Sequence, residues 1–206
     1  MQSDDSSVME TFLTTWTKKP QSGPRRSDIR AVFSIRNAAV ERKFQEYVTN
    51  LRGPNIGWFY HGTVLKCDIL RSKSLCDNYS CSVCGISCRG FDPARIRSHV
   101  NFQRFGHAFY LGENSSKCHE YSEGYNGVRA LLYCKVAMGN RYYAPTDEPD
   151  RKAPPPGYDS VYGQKGTHHG GSGSMNYNEV AIYGISEAIL PMYIIVYQNN
   201  GVKLLL

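Results

Sequence analysis

Apolar residues recur along the chain in short segments whose spacing distinguishes helices from strands. The segment "IRAVFSI", which begins at Ile29, is rich in β-branched and aromatic residues and predicts a strand. Asn37 follows as a suitable N-cap, and apolar residues at helical spacing predict a helix from Ala38 to about Leu51. The apolar stripe of this helix consists of Val40, Phe44, Tyr47, Val48 and Leu51.

Strands outnumber helices in the remainder of the chain. Five further segments predict strands: "IGWFYHGT", "HAFYLG", "VRALLYCKVAMG", "NYNEVAIYG" and "MYIIVYQ". The segment "SSKCHEYSEG" begins like a second helix, with serine as its cap. Because strands and helices do not alternate, the pattern predicts an α+β fold rather than a parallel α/β sheet.

The polar composition of the first residues predicts a boundary near residue 28. Residues 1–27 are rich in Ser, Asp, Thr, Lys and Pro, and we expect them to form a disordered lead-in. Residues 28–206 are long enough for a single well-cored domain. Residues 144–174 combine prolines with many glycines, so we expect loops there, with "GTHHGGSGS" as a flexible one.

Charge, hydropathy and cysteine content narrow the class of protein. The net charge of +6 favours phosphate-bearing ligands, but it is too small to indicate nucleic-acid binding by itself. No window approaches the length of an apolar transmembrane helix, and the N-terminus is polar rather than secretory. We therefore expect an intracellular protein, cytoplasmic or nuclear, without a membrane partner. An odd number of cysteines, seven, argues against a complete disulfide framework.

Four of the seven cysteines lie within the stretch "CDNYSCSVCGISC". They are Cys76, Cys81, Cys84 and Cys88. Four thiolates complete a tetrahedral zinc site and leave no position for water or substrate, so the spacing predicts a structural Zn²⁺ in an insertion over residues 76–88. Disulfides and free thiols are alternatives, and Cys67, His99 or His107 is able to replace one ligand. Cys67 and Cys134 otherwise have the apolar surroundings of small buried hydrophobes.

Three other stretches place a polar residue at or near the end of an apolar strand: "FYHGT", "FYLGENSSKCHEY" and "NYNEVAIY". In this order they resemble the catalytic domain of the poly(ADP-ribose) polymerases, whose His-Tyr-Glu signature lies on three strands. The resemblance extends from about Ile29 to Gln198. "APPPGYDSVYG" resembles the tankyrase branch, whereas "IRNAAVERKFQEYVTNL" is similar to the helix before the catalytic histidine in smaller mono-transferases.

The resemblance implies an ADP-ribosyltransferase fold, with two packed, mainly antiparallel β-sheets, few flanking helices and a small zinc-binding insertion. It also implies an NAD⁺ site in which His61, Tyr110 and Glu179 are the catalytic residues. In such a site His61 would hydrogen-bond the adenosine ribose, with Thr63 close to the same sugar. Gly62 would hold the nicotinamide carboxamide through its backbone N–H and C=O groups.

Further positions complete the nicotinamide pocket that the resemblance implies. Tyr110 and Tyr121 would sandwich the nicotinamide ring, and Lys117 would lie near Glu179. Cys118 stands where the family usually has a serine that hydrogen-bonds the carboxamide. Because a thiol is a weaker donor than a hydroxyl, we expect a lower affinity for NAD⁺.

The chemistry of the implied reaction agrees with a carboxylate at position 179. Cleavage of the nicotinamide–ribose bond develops positive charge on the sugar, as in glycoside hydrolysis. Glu179 would stabilise that charge in the transition state and deprotonate or orient the acceptor nucleophile. Lys117 would keep Glu179 ionised, because a nearby positive charge lowers the pKa of a carboxyl group.

These residues predict a monomeric NAD⁺-dependent ADP-ribosyltransferase that acts on a macromolecular acceptor, either a protein or a nucleic acid. Mono- and poly-transfer are both compatible with the retained glutamate. Two other functions are alternatives at this point. One is a catalytically degenerate module that binds NAD⁺ or ADP-ribose, and the other is a zinc-stabilised nucleic-acid-binding domain built on the basic segment "ARIRSHVNFQRFG".

Overall fold

The segments rich in β-branched and aromatic residues form one eight-stranded sheet in the computed structural model, which describes residues 3–18, 23–96, 103–167 and 174–198. A few short helices flank the sheet, and this arrangement confirms the predicted α+β class. The strands are β1 (Ile29–Ser34), β2 (Ile56–Gly62), β3 (Phe109–Gly112), β4 (Arg129–Ala137), β5 (Arg141–Tyr143), β6 (Ser160–Gly163), β7 (Glu179–Ile182) and β8 (Ile189–Tyr197).

Five α-helices and three short 3-10 helices lie between or beside these strands in the described ranges. The α-helices are α1 (Ser3–Thr14), α2 (Ala38–Asn50), α3 (Ile69–Ser72), α4 (Ser82–Arg89) and α5 (Ser115–His119). The 3-10 helices are Arg26–Asp28, Pro93–Arg95 and Ser186–Ala188. None of the helices in the described ranges combines the length and the apolar character needed to cross a lipid bilayer.

The sheet consists of two halves joined at one pair of residues. Its strand order is β1-β8-β4-β2-β3-β7-β6-β5, and β5 and β6 form the one parallel pair among these neighbours. β2 pairs with β4 along its whole length, but it pairs with β3 at Tyr60 and Gly112 alone. The two sheets expected from the resemblance are therefore the two halves of one hydrogen-bonded sheet, which opens beyond Tyr60.

The central strand β4 is buried on both faces, which explains its nearly continuous apolar sequence. Leu132 and Cys134 lie in one core cluster with Phe59, whereas Leu131 lies in a second cluster with Tyr60 on the opposite face. Cys134 is fully buried, as expected for a small hydrophobic residue.

Helix α2 confirms the prediction made from helical spacing, with one residue of difference at its end. The Oδ1 atom of Asn37 accepts a hydrogen bond from the backbone N–H of Val40 at 3.2 Å, which caps the first turn. Phe44 is 1% exposed and packs with Ala137 and Leu190. The apolar stripe thus anchors α2 against the end of β4 and the beginning of β8.

The N-terminal residues correct the prediction of a disordered lead-in over residues 1–27. Ser3–Thr14 forms helix α1, and Phe12 is fully buried against the sheet. The rings of Phe12 and Tyr197 lie 4.9 Å apart, and Trp16 continues the same contact surface one turn later. A polar composition concealed this helix because its buried residues among those described are only Val8 and Phe12, spaced four apart, with Trp16 following just after its end.

The proline-rich region also contains more regular structure than its composition predicts. Residues 144–174 were expected to be loops, yet β6 lies within them and is buried between β5 and β7. The hydroxyl of Ser160 donates to the carbonyl oxygen of Met138 at 2.8 Å, which satisfies the polar group in this buried strand. Most of the segment "GTHHGGSGS" lies outside the described residues.

The packing of α1 predicts a large loss of stability for Phe12→Ala. Because Phe12 is fully buried, its removal should lower the free energy of unfolding by about 3–5 kcal/mol, measured by urea denaturation. Glu10→Ala, on the exposed side of the same helix, is the control and should change little. Equal unfolding midpoints for Phe12→Ala and Glu10→Ala would show that α1 does not pack on the sheet in solution.

Candidate functional site

The ring of His61 lies where β2 and β3 have separated. Its Nδ1–H donates to the backbone carbonyl oxygen of Tyr110 at 3.0 Å, and since that oxygen is only an acceptor, Nδ1 carries the proton. In the neutral ring Nε2 is then an acceptor. The edge-to-face contact with Phe91, at 4.9 Å between ring centroids, holds the imidazole from another side. His61 therefore has one defined orientation and tautomer.

Gly62 lies against the C-terminal part of helix α5. A Cβ atom at this position would stand 1.9 Å from the carbonyl oxygen of Cys118 and 3.2 Å from the backbone nitrogen of Ser122. Glycine is required here because any side chain would push α5 away from β2. The close approach brings the residues of α5 next to the end of β2.

Tyr110 uses its hydroxyl to hold the preceding loop. The hydroxyl donates to the carbonyl oxygen of Gly106 at 2.8 Å and accepts the backbone N–H of Phe105 at 2.9 Å. Burial raises the pKa of this hydroxyl well above its usual value, so it remains protonated. The ring of Phe105 lies nearly parallel to that of Tyr110, at 6.5 Å between centroids.

Residues at and after the end of α1 support helix α5. Ser115 is completely buried; its hydroxyl donates to the carbonyl oxygen of Phe12 at 2.7 Å and accepts from the hydroxyl of Thr15 at 3.1 Å. The backbone N–H of Lys18 donates to the hydroxyl of Ser116 at 3.0 Å. Because buried hydroxyls need partners, these bonds fix α5 relative to α1. Neither Thr15 nor Phe12 carried a sequence signal for this role.

Lys117 and Tyr121 form a pair on the exposed side of α5. The Nζ atom of Lys117 donates to the hydroxyl of Tyr121 at 2.9 Å, and 52% of Tyr121 is exposed. Burial by itself would lower the pKa of Lys117, but the hydrogen bond to Tyr121 and the nearby charge of Glu179 outweigh it and raise the pKa. Lys117 therefore remains a cation beside Glu179.

Glu179 begins β7 between two glycines. Gly112 of β3 and Gly163 of β6 are its cross-strand neighbours, and a Cβ atom at these glycines would stand 3.0 Å from the Sγ atom of Cys118 and 2.5 Å from the side chain of Met175 respectively. Tyr110 lies two residues before Gly112, and alternation along β3 places both on the same face of the sheet as Glu179. The half-buried carboxylate of Glu179 therefore lies on the face of the sheet that carries Tyr110, where the absence of a Cβ at both neighbours lets other side chains pack close to β7.

Cys118 directs its thiol into the protein. The Sγ atom donates to the backbone carbonyl oxygen of Tyr60 at 3.2 Å, and burial raises the pKa of the thiol to about 12. The thiol is therefore protonated and already engaged with β2. Thr63, the other polar position named from the sequence, is 8% exposed, and its carbonyl oxygen accepts the backbone N–H of Glu123 at 3.2 Å.

Four cysteines converge beside this site, but they differ from the predicted set by one member. The cysteine cluster comprises Cys67, Cys76, Cys81 and Cys84, whose sulfur atoms all lie within 4.8 Å of one another. Cys88, a predicted ligand, is exposed and outside the cluster. On α4 it lies one turn beyond Cys84, about 6 Å further along the helix axis.

Cys67 takes the place of Cys88 in the cluster, and it is one of the three replacement ligands considered from the sequence. His107 is exposed and not part of the cluster, and His99 lies outside the described residues.

The cysteine cluster fits a tetrahedral metal ion. With zinc–sulfur bonds of about 2.3 Å, the sulfur atoms of a regular tetrahedron are about 3.8 Å apart. Cys67 lies 3.6 Å from Cys84 and 3.8 Å from Cys81 between sulfur atoms. Burial acts to raise the pKa of Cys81, but hydrogen bonds from the backbone N–H groups of Lys66 and Cys84 outweigh it and lower the pKa. The thiolate form of Cys81 is thereby stabilised, whereas burial raises the pKa of Cys67 and of Cys84.

Comparison with known protein families gives one match. A family model described as the poly(ADP-ribose) polymerase catalytic domain matches residues 4–204, which include all the site residues above. No curated protein matches the chain.

The surroundings of His119 predict a dependence of stability on pH. Its Nδ1 is 2.8 Å from the hydroxyl of Tyr197 and its ring packs on Trp16, so burial, followed by the charge of Arg129, lowers its pKa to about 4. A histidine in the unfolded chain has a pKa of about 6.5. The contribution of the neutral imidazole of His119 to the free energy of unfolding is therefore complete above that pH and is lost as the pH falls towards 4.

His119→Gln should therefore weaken the decline in urea midpoint between pH 6.5 and 4. His107→Gln, at an exposed histidine, is the control and should decline as the wild type does. If His119→Gln and the wild type decline in parallel, the imidazole is not held neutral.

Proposed function

This chain belongs to the poly(ADP-ribose) polymerase catalytic domain family, and from this membership we propose that it is an NAD⁺-dependent ADP-ribosyltransferase acting on a protein or nucleic-acid acceptor. The observation that carries the proposal is the position of Glu179. Its carboxylate lies between two glycines, on the face of the sheet that carries Tyr110 and beside the cation of Lys117. A half-buried carboxylate at this position is suited to a ligand that develops positive charge.

The residues around the opened strands fit the two ends of NAD⁺. On the nicotinamide side, Gly62 offers backbone groups, and Tyr110 and Tyr121 offer aromatic faces on which a flat ring stacks. On the adenosine side, His61 has a fixed tautomer whose Nε2 accepts a hydrogen bond from a ribose hydroxyl. Thr63 follows directly after Gly62 and belongs to the same ribose-facing segment.

Glu179 is the proposed catalytic residue. Its carboxylate stabilises the positive charge that develops on the ribose as the nicotinamide bond breaks, an interaction stronger in the transition state than in the ground state. It then accepts the proton of the acceptor nucleophile as general base. Lys117 keeps the carboxylate ionised and, through its bond to Tyr121, holds that ring at the edge of the site.

The engaged thiol of Cys118 leaves carboxamide recognition to the backbone of Gly62. A serine hydroxyl at this position has two acceptor lone pairs as well as a donor, whereas the thiol is a weak donor already bound to the carbonyl of Tyr60. We therefore propose an NAD⁺ affinity below that of a serine-containing site. Retention of Glu179 favours a transferase over a module that only binds the nucleotide.

Replacement of the carboxylate tests the catalytic role. In an assay with labelled NAD⁺, Glu179→Gln should lower both nicotinamide release and transfer on the order of 10²–10³-fold, because the charge that stabilises the transition state is removed. Glu41→Gln, at an exposed glutamate of α2, is the control and should keep wild-type activity.

Protease and nuclease digestion of the labelled products then separates a protein acceptor from a nucleic-acid acceptor. Equal labelling by Glu179→Gln and the wild type would contradict the assigned role.

The cysteine cluster is proposed to hold one structural Zn²⁺. Four sulfur atoms at tetrahedral spacing favour zinc, and a complete set of protein ligands leaves no position for a reacting water. When bound, the ion would contribute folding free energy by tying Cys67 and Cys76 to helix α4.

The revised ligand set can be distinguished from the predicted one by metal analysis. Elemental analysis should find zinc in equimolar amount with the wild-type protein but not with Cys67→Ser, which should also unfold at a lower temperature. Cys88→Ser is the matched control and should keep both the metal and the wild-type unfolding temperature. The opposite result, with zinc lost from Cys88→Ser and kept by Cys67→Ser, would restore the set predicted from spacing alone.

A further inference from the structure

Helix α4 links the cysteine cluster to the imidazole of His61. Cys81 is the N-cap of the helix and Cys84 lies in its first turn, so two members of the cluster hold its beginning. The helix ends at Gly90, whose φ of +81° favours glycine and turns the chain back towards the sheet. Phe91 is the next residue and enters the core at the opening between β2 and β3.

Phe91 makes two edge-to-face ring contacts at this opening. Its centroid lies 4.9 Å from that of His61, with an angle of 73° between the rings, and 5.2 Å from that of Phe109, with an angle of 70°. Phe109 directly precedes Tyr110, whose carbonyl oxygen accepts the Nδ1–H of His61. Phe91 therefore contacts both the imidazole and the residue next to its hydrogen-bond acceptor.

The segment after Gly62 is held by the same helix. The backbone N–H of Val83 donates to the carbonyl oxygen of Val64 at 3.1 Å, and the backbone N–H of Lys66 donates to the Sγ atom of Cys81 at 3.3 Å. The opposite edge of the segment bonds to Glu123: the backbone N–H of Leu65 donates to its carbonyl oxygen at 2.9 Å. The chain that carries Thr63 thus lies between the cluster helix and the segment after Tyr121.

The nicotinamide side of the site has a different support. Helix α5, which carries Lys117 and leads to Tyr121, is fixed by the hydrogen bonds of Thr15 and Ser115 with the end of α1. No member of the cysteine cluster takes part in those bonds. The two halves of the proposed donor site therefore rest on separate elements, α4 for the ribose side and α1 for the nicotinamide side.

We propose that Phe91 is a positioning residue through which the cysteine cluster sets the orientation of His61, so that this cluster controls the adenosine-ribose half of the donor site and not its nicotinamide half. The inference rests on the function proposed above. When α4 is anchored, the ring edge of Phe91 prevents the imidazole from rotating away from Tyr110. When the anchor is lost, Phe91 moves with the helix and His61 no longer presents Nε2 to the ribose.

Two small probes allow ligand binding at each half of the site to be measured separately. Benzamide reproduces the ring and carboxamide of nicotinamide, and ADP-ribose carries the adenosine and both ribose sugars. Phe91→Leu keeps most of the buried volume and removes the aromatic edge. It should weaken ADP-ribose binding about three- to tenfold and change benzamide binding less than twofold, measured by calorimetry. Phe33→Leu, in the same core cluster but away from His61, is the matched control.

A second measurement follows the imidazole directly. The ring resonances of His61 in NMR spectra should shift in Phe91→Leu and in Cys67→Ser, and they should stay at the wild-type position in Phe33→Leu and Cys88→Ser. Unchanged His61 resonances in Cys67→Ser, or equal losses of both probes in Phe91→Leu, would overturn the inference. A wild-type protein that binds neither probe would instead contradict the proposed function, while the NMR comparison still decides whether the cluster reaches His61.

Discussion

The contact between the backbone of Gly62 and the carbonyl oxygen of Cys118 is the constraint on which the site depends. It packs α5 over the face of β2 at Gly62, two residues beyond Tyr60, where β2 and β3 form their pair. The strands separate, and the opening receives the ring of His61 from β2. The same approach brings the cation of Lys117 close to Glu179. One backbone contact thus aligns residues from both halves of the sheet.

Polar groups in buried positions make this arrangement specific. Ser115 is completely buried, and its hydroxyl has partners only when the end of α1 lies against α5. A hydrophobic contact tolerates small sliding movements, whereas a buried hydroxyl without its partner is destabilising. The hydroxyl of Tyr110 has the same effect on the other side of the site, because its two partners are the backbone N–H of Phe105 and the carbonyl oxygen of Gly106. The site is therefore fixed by directional bonds as well as by packing.

Local sequence patterns predicted the elements whose buried face is long and regular. Helix α2 was found because five apolar residues repeat at helical spacing, and the signature residues were proposed because their three stretches, each with a polar residue at or near the end of an apolar strand, resemble a known family in this order. Helix α1 and strand β6 were missed since their burial depends on residues distant in the chain. Cys67 was ranked below Cys88 for the same reason: spacing measures proximity along the chain, but the turn formed by α3 returns Cys67 to the cluster.

The position of β8 at the centre of one half of the sheet has a consequence for synthesis. β8 lies between β1 and β4, and its final residue Tyr197 also covers the ring of Phe12. Within this domain β1 is synthesised before the other strands, and its one neighbouring strand in the described sheet, β8, is the last of them. The nascent β1 exposes apolar surface during that interval, and the many long-range pairings make closure of the sheet slow. The sheet of this domain therefore closes only once β8 has been made, and its last residue then packs against the first helix.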